Sequence, residues 1–307
     1  MVQRTRFPGL SFVARLLLDC LGEPFQLLTQ KPFEKADNAR SPGTEGVLKG
    51  DKMKKILILC LGVLTLMATA LPAQGFEAGV RANYWFPSLD GDITYSDNSL
   101  KGTKLDLQDD LGFDDEYYPF GEIFLGLGDH HLSFSFYRAD YKGTETLDQD
   151  INFGGDTFFA GEKIKSTLKY DVYDLTYQYD VLDLENVLAG FSLGLVGRVR
   201  VFDFEAEIRS ESTGLRQKED YTLPLPMLGL NFHLGILADI LEARILATGM
   251  GYWDGYMIDA QAELSFPPIP FVDIQAGYRT FFIDADTNDL KLNYNTSGLY
   301  AGITVSF

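Results

Sequence analysis

The residues best equipped for chemistry are charged side chains recurring at even spacing within otherwise apolar stretches. Glu77 and Arg81 stand four apart, Arg198 and Arg200 two apart, Asp259 and Glu263 four apart, and Asp273 and Arg279 six apart. Glu122 and Arg244 sit singly in similar surroundings. On an extended chain even spacing puts both members of a pair on one face. Five arginines and five carboxylates turned toward a shared interior could bind a charged solute, or they could interlock and fill that interior. In a narrow lumen buried charges persist only when paired, so filling is the expected use.

A second cluster is acidic. Residues 88–116 hold Asp90, Asp92, Asp97, Asp106, Asp109, Asp110, Asp114, Asp115 and Glu116 against only Lys101 and Lys104. Carboxylate oxygens are the ligands calcium and magnesium prefer, so this segment is a candidate for divalent cations. The competing and favoured reading is a solvated acidic loop. Asp284, Asp286 and Asn288 imitate the start of a calcium loop, but Asp289 replaces its glycine and Asn295 its final Glu, so that match fails. No cofactor is expected.

The elements that must position these groups begin with an export signal. Met53-Lys54-Lys55 is a short basic start, followed by the apolar run Ile56 to Leu66 and then by Ala68, Ala70, Pro72, Ala73 and Gly75. This is the pattern of a secretory signal peptide. The run is shorter than the roughly 20 residues a membrane-spanning helix needs. Cleavage after Ala70 or after Gly75 leaves a chain opening at Leu71 or Phe76. The chain therefore divides into an extension over 1–52, a cleavable signal over 53–75 and a folded part over 76–307. Codons for Lys49-Gly50-Asp51 can spell a purine-rich ribosome-binding stretch ahead of Met53, so the extension is expected to be non-native; the competing reading is a genuine cytoplasmic extension.

Cys20 lies in the extension and Cys60 inside the signal's apolar run, where Leu59 is too large for the small residue that lipidation requires. The exported part thus has no thiol and no disulfide. Ten of the 26 Lys and Arg but only six of the 44 Asp and Glu precede Phe76, which leaves residues 76–307 at −22. So acidic a surface excludes nucleic acid as a partner.

After Gly75 the periodicity is two. Phe76, Ala78, Val80, Ala82, Tyr84 and Phe86 alternate with Glu77, Gly79, Arg81, Asn83 and Trp85. Ile258, Ala260, Ala262, Leu264 and Phe266 alternate with Asp259, Gln261, Glu263 and Ser265, and Val272, Ile274, Ala276 and Tyr278 with Asp273, Gln275 and Arg279. Strands are predicted over 76–87, 116–127, 131–142, 163–180, 187–205, 219–236, 242–254, 256–266, 271–284 and 294–307, with parity slips inside 163–180 and 187–205. Short connectors (128–130, 181–186, 237–241, 267–270) alternate with long ones (88–115, 143–162, 206–218, 285–293). The tight connection near Asp254-Gly255 is the exception. Apolar stretches of about ten residues match a tilted strand crossing a bilayer. Aromatics would mark its two interfaces: Tyr117, Tyr118, Phe136, Tyr137, Trp253, Tyr256, Phe281 and Phe282 at one, Phe232, Phe266, Phe271 and Phe307 at the other.

The chain ends with Leu299, Ala301, Ile303, Val305 and Phe307 on one face and Gly298, Tyr300, Gly302, Thr304 and Ser306 on the other. Together with the signal, this resembles the terminal assembly signal of Gram-negative outer-membrane β-barrel proteins. The resemblance implies an all-β fold, a single antiparallel transmembrane barrel of about ten strands (eight or twelve being the alternatives). It also implies residence in the outer membrane, with contacts to its lipid, its lipopolysaccharide and its assembly machinery.

Enzymes among such barrels, the omptin proteases, lipid A deacylases, palmitoyltransferases and the outer-membrane phospholipase, resemble one another in keeping a catalytic His near the outer rim. Here His130 and His131 fall in a short periplasmic turn, and His233 faces inward near the periplasmic end. None is placed for chemistry at the outer rim. The expectation is a non-enzymatic barrel acting structurally or by binding through its acidic external loops. A small, porin-like channel or transporter and a rim-located hydrolase of lipid or peptide are the alternatives.

Overall fold

The computed structural model describes residues 75–96, 102–153, 156–184, 190–236, 240–252, 255–286 and 290–307. The readings made for 1–52, for the signal and for Trp253 fall outside them.

Among the described residues thirteen strands form, ten of which make the barrel wall. These are β1 (Phe76–Tyr95), β3 (Tyr118–Leu127), β4 (His130–Thr146), β7 (Lys163–Leu184), β8 (Phe191–Ser210), β9 (Arg216–Ile236), β10 (Leu241–Tyr252), β11 (Gly255–Ile269), β12 (Val272–Asp286) and β13 (Leu290–Ser306). Each pairs antiparallel with its sequence neighbour in the wall, and β13 pairs back onto β1, from Gly79 with Ser306 to Tyr95 with Leu290. The ring is closed. Closure leaves no free edge in the bilayer, the condition a sheet must meet to span it. The ten-strand count and the antiparallel all-β class agree with the sequence pattern.

The exterior carries an apolar belt that only hydrocarbon would stabilise. Leu132, Phe134, Leu175, Tyr177, Leu195, Val199, Leu230, Phe232, Ile245, Leu264, Ile274, Leu299, Ile303 and Val305 are all exposed. The terminal alternation places Leu299, Ile303, Val305 and Phe307 on this belt, while Tyr300 and Thr304 are buried inside. Ala301 is exposed on the same outer face.

Above the belt the two faces exchange solvents. In β7, Leu175, Tyr177 and Tyr179 point out and Asp174 and Thr176 in; further up, Ile164, Tyr170 and Val172 point in while Lys163, Lys165 and Lys169 point out. In β8, Leu195 and Val199 are outside and Arg198 and Arg200 inside, but beyond Val201 the buried residues are Phe202 and Ile208, with Asp203 exposed. Hydrocarbon below and water above demand opposite exteriors from one continuous strand. The parity slips mark that change of solvent, along with one bulge between Asp180 and Leu182.

The long connectors are correspondingly shorter than predicted. β1 runs on to Tyr95, where β2 (Lys104–Asp106) pairs with it, and the β8–β9 connection is only 211–215. β5 (Ile151–Phe153) and β6 (Asp156–Phe158) form a small hairpin of their own. Leu105, Leu107, Leu111 and Phe113 from the first segment, and Ile151 and Phe158 from the hairpin, join the apolar core. Gly143 lets the first segment lie against β4, because a Cβ there would stand 2.0 Å from the Leu111 carbonyl oxygen.

The rim is uneven. β7, β8 and β9 have 22, 20 and 21 residues, β10 only 12 and β11 only 15. Pairing of β9 with β10 stops at Leu228 and Gly249, so residues 216–227 are unpaired on that side among the described residues. Pro224 and Pro226 remove N–H donors from this segment, a common protection for an unpaired edge.

Tyr118, Tyr137 and Phe281, assigned by sequence to an interfacial girdle, point into the barrel and are 4%, 2% and 2% exposed. The outer girdle keeps Tyr117, Phe136, Tyr256 and Phe282 of that assignment and adds Tyr84, Phe86 and Tyr173.

Candidate functional site: the packed lumen

The inward charges separate into two layers and a mouth. In the upper layer Asp259 lies at the centre of three guanidiniums. Arg279 donates from Nε (3.1 Å) and Nη2 (2.7 Å), Arg198 donates from Nη1 (3.1 Å), and Arg200 donates from Nη2. Arg200 also grips Asp174 through Nε and Nη2, both at 2.7 Å. Arg198 is completed by Thr176 at 3.0 Å and Thr248 at 3.3 Å. All five charged groups are buried. Isolated charges there would each cost several kcal/mol, so mutual pairing is what lets the layer exist.

Aromatic rings seal this layer. The Arg279 guanidinium stands 5.1 Å from the Trp85 ring, 5.1 Å from Tyr137 and 5.5 Å from Phe120, and Arg200 stands 5.0 Å from Phe281. Contacts of this kind add about 2 kcal/mol each when desolvated. Higher still, the Tyr170 and Tyr294 hydroxyls meet across the lumen at 2.8 Å.

The lower layer is simpler. Arg81 is directly opposite Glu122 and bonded to it, with Nε on Thr304 at 3.1 Å. Arg244 is directly opposite Glu263 at 3.2 Å, and Glu263 also accepts from the Tyr300 hydroxyl at 2.9 Å. Gln275 bridges Asn83 (2.7 Å) and Thr304 (2.5 Å). Glu77 is exposed and Asp273 half-buried near the mouth where β1 begins, outside both layers.

Of the ten charged residues singled out by spacing, eight therefore meet in these layers and two do not. Asp174, which the sequence reading missed, is the second buried carboxylate of the upper layer. Its signal was the alternation of Asp174, Thr176, Gln178 and Asp180 with Leu175, Tyr177 and Tyr179, blurred by the solvent exchange higher in β7.

The histidines stand at the end of the barrel that carries the β3–β4 turn and the start of β1. His130 and His131 open β4 rather than sitting in the turn before it, His130 contacting the Tyr177 hydroxyl at 2.7 Å and His131 the Asp180 carboxylate at 2.9 Å. His233 lies 3.3 Å from Glu242. In the acidic segment, Asp106 and Asp110 cap a turn through backbone N–H groups and Asp115 accepts from Leu89 N at 2.9 Å. Among the described residues no three His, Cys, Asp or Glu stand close enough to hold a metal. Asp97, Lys101, Asn288 and Asp289 lie outside the described residues.

No family model and no curated protein matches the sequence. Solved structures do. The outer membrane protease OmpT from Escherichia coli superposes with a TM-score of 0.50 at 11% identity, over 78% of this chain and 99% of OmpT. The fold is that of the Gram-negative outer-membrane β-barrels. The translocator domain of the autotransporter NalP from Neisseria meningitidis (12% identity, 84% of this chain, 98% of that one, TM-score 0.40) and Ail of Yersinia pestis (13%, 75%, 99%, 0.33) are also similar. At these identities the likeness concerns the fold alone.

Proposed function

We propose that this chain is a non-enzymatic outer-membrane barrel with a closed lumen, exported through a cleaved signal and acting structurally or by surface binding through its acidic external segments. The observation that carries this reading is the stacked filling of the interior. Two ion-paired layers lie under aromatic rings and under residues 105–113, leaving the inward arginines committed to carboxylates rather than to a solute. The absence of enzymatic activity is proposed on the placement of all three histidines at the periplasmic end. Its partners on this reading are outer-membrane lipid and lipopolysaccharide around the belt and the assembly machinery at the last strand, with the acidic segments solvated. Recording current through the purified protein in a planar bilayer tests the closed lumen. No steady conductance is expected, and a steady open level would replace this reading with a channel.

A further inference from the structure

Three methionines follow the signal region, Met227, Met250 and Met257, and the fold gathers all three. Met250 and Met257 are directly opposite on β10 and β11. Met227 lies one step past the last paired positions of β9 and β10, Leu228 and Gly249, as Met250 does on its own strand, and both side chains join the same interior cluster. The row faces inward: Met227 and Met257 are 1% and 8% exposed, and Met250 packs against the same interior cluster.

Side chains directly opposite on one face start from Cβ atoms about 4.5 to 5.5 Å apart. An unbranched thioether arm is long and adaptable enough for three sulfurs to converge. The row ends at Ile283, opposite Met257, and at Arg198, opposite Met227, whose guanidinium is turned to Thr176, Thr248 and Asp259. No His or Cys competes in it. Access is short, because β10 ends two residues beyond Met250 on the low side of the rim. Packing alone explains a methionine as filler, but it does not explain why all three share one row.

We propose that Met227, Met250 and Met257 form a trithioether site for a soft monovalent metal ion, Cu(I) or Ag(I). Thioether sulfur selects soft ions over Mg, Ca or Zn. The neighbouring charge layer holds three guanidiniums and two carboxylates, an excess that opposes a divalent ion more strongly than a monovalent one.

The probe is silver ion, titrated calorimetrically into the chain purified from membranes and into its Met227→Leu/Met250→Leu/Met257→Leu variant, whose changes conserve volume. The wild type should bind one more ion per chain than the variant, with heat-modifiability unchanged. X-ray absorption of the silver-loaded wild type should show a sulfur shell that Met250→Leu alone depletes, which keeps the test decisive if the triple variant does not assemble. Equal binding by wild type and variant overturns the proposal, as does a shell of nitrogen and oxygen or one indifferent to Met250→Leu.

Discussion

Asp174 and Arg200 stand directly opposite each other on β7 and β8 and share a two-pronged ion pair, Nε to Oδ1 and Nη2 to Oδ2, both at 2.7 Å. Arg200 is wholly enclosed and Asp174 is 2% exposed, so neither can exchange its partner for water. Such geometry makes a pair far costlier to break than to replace. Removing one partner of a buried pair typically costs about 3 to 5 kcal/mol, whereas an apolar pair of similar volume is often tolerated. Asp174→Ala is therefore expected to lower the heat-modification midpoint sharply, and Asp174→Leu with Arg200→Met to restore much of it. A single variant as stable as the wild type would show that water already reaches the layer.

Paired loss should also change what the lumen passes. Arg198→Ala with Arg200→Ala removes two of the three cations around Asp259, leaving it Arg279 alone, and strips Asp174 of both its cations. Either the barrel loses thermal stability or water enters to solvate the two carboxylates, giving a cation leak in a planar bilayer. A wild type that conducts steadily, with a double mutant differing only in selectivity, would mean an open pore.

How far the residues announced all this depends on where each one lies. The terminal strand was legible because Ile303 and Val305 face lipid while Thr304 faces the interior, and one solvent pair governs the whole segment. β7 was not, because Lys163, Lys165 and Lys169 share a face with Leu175 and Tyr177. No single hydropathy rule describes a strand that leaves hydrocarbon for water half-way along. The same exchange hid Asp174 and misplaced Tyr118, Tyr137 and Phe281, since aromatics serve both as interfacial anchors and, here, as lids over guanidiniums. Arg81 with Glu122 and Arg244 with Glu263 show the limit from the other side. Spacing could put them on inward faces, but only the register reveals which carboxylate stands opposite which arginine.

Phe307 carries the closing ladder one step beyond Ser306. Phe307 N donates to the Ala78 carbonyl and Ala78 N to the Phe307 carbonyl, both at 2.9 Å. Deleting Phe307 removes both bonds, and Ile303→Asp with Val305→Asp puts charge on the lipid face, where a basic residue costs roughly 2 to 4 kcal/mol near the midplane and an acidic one less. Both changes should abolish heat-modifiable protein in the outer membrane. Normal yields would refute the terminal strand as the closing element.

Gly143 is the seat of the first external segment. A Cβ there would stand 2.0 Å from Leu111 O and 2.6 Å from Gly112 C, both backbone atoms that cannot swing aside. Gly143→Val should push residues 107–113 off the inner wall without disturbing the belt. External protease should then cut within that segment in intact cells while the barrel core survives. Conductance should stay near zero, because the ion-paired layers beneath are untouched. An unchanged digestion pattern would mean that the segment is held elsewhere.

Arg216 and Glu207 repeat the two-pronged geometry of Asp174 and Arg200, at 2.8 and 2.7 Å, but on the water-facing wall of β8 and β9. Exposure reverses the energetics: an ion pair in water gains little, because the solvent and salt screen it. Glu207→Gln should accordingly leave the heat-modification midpoint almost where it was, in contrast to Asp174→Ala. The hydrogen bonds from Arg216 hold the Glu207 carboxyl below its ordinary range. A carboxyl depressed in the folded state contributes stability above its unfolded pKa and loses it as pH falls through the folded one. Whatever small difference separates Glu207→Gln from wild type at neutral pH should therefore close in acid. Midpoints recorded for both proteins from neutral to acid pH check this, and a gap that widens on acidification, or one at neutral pH as large as that of Asp174→Ala, would show that burial is not what separates the two pairs.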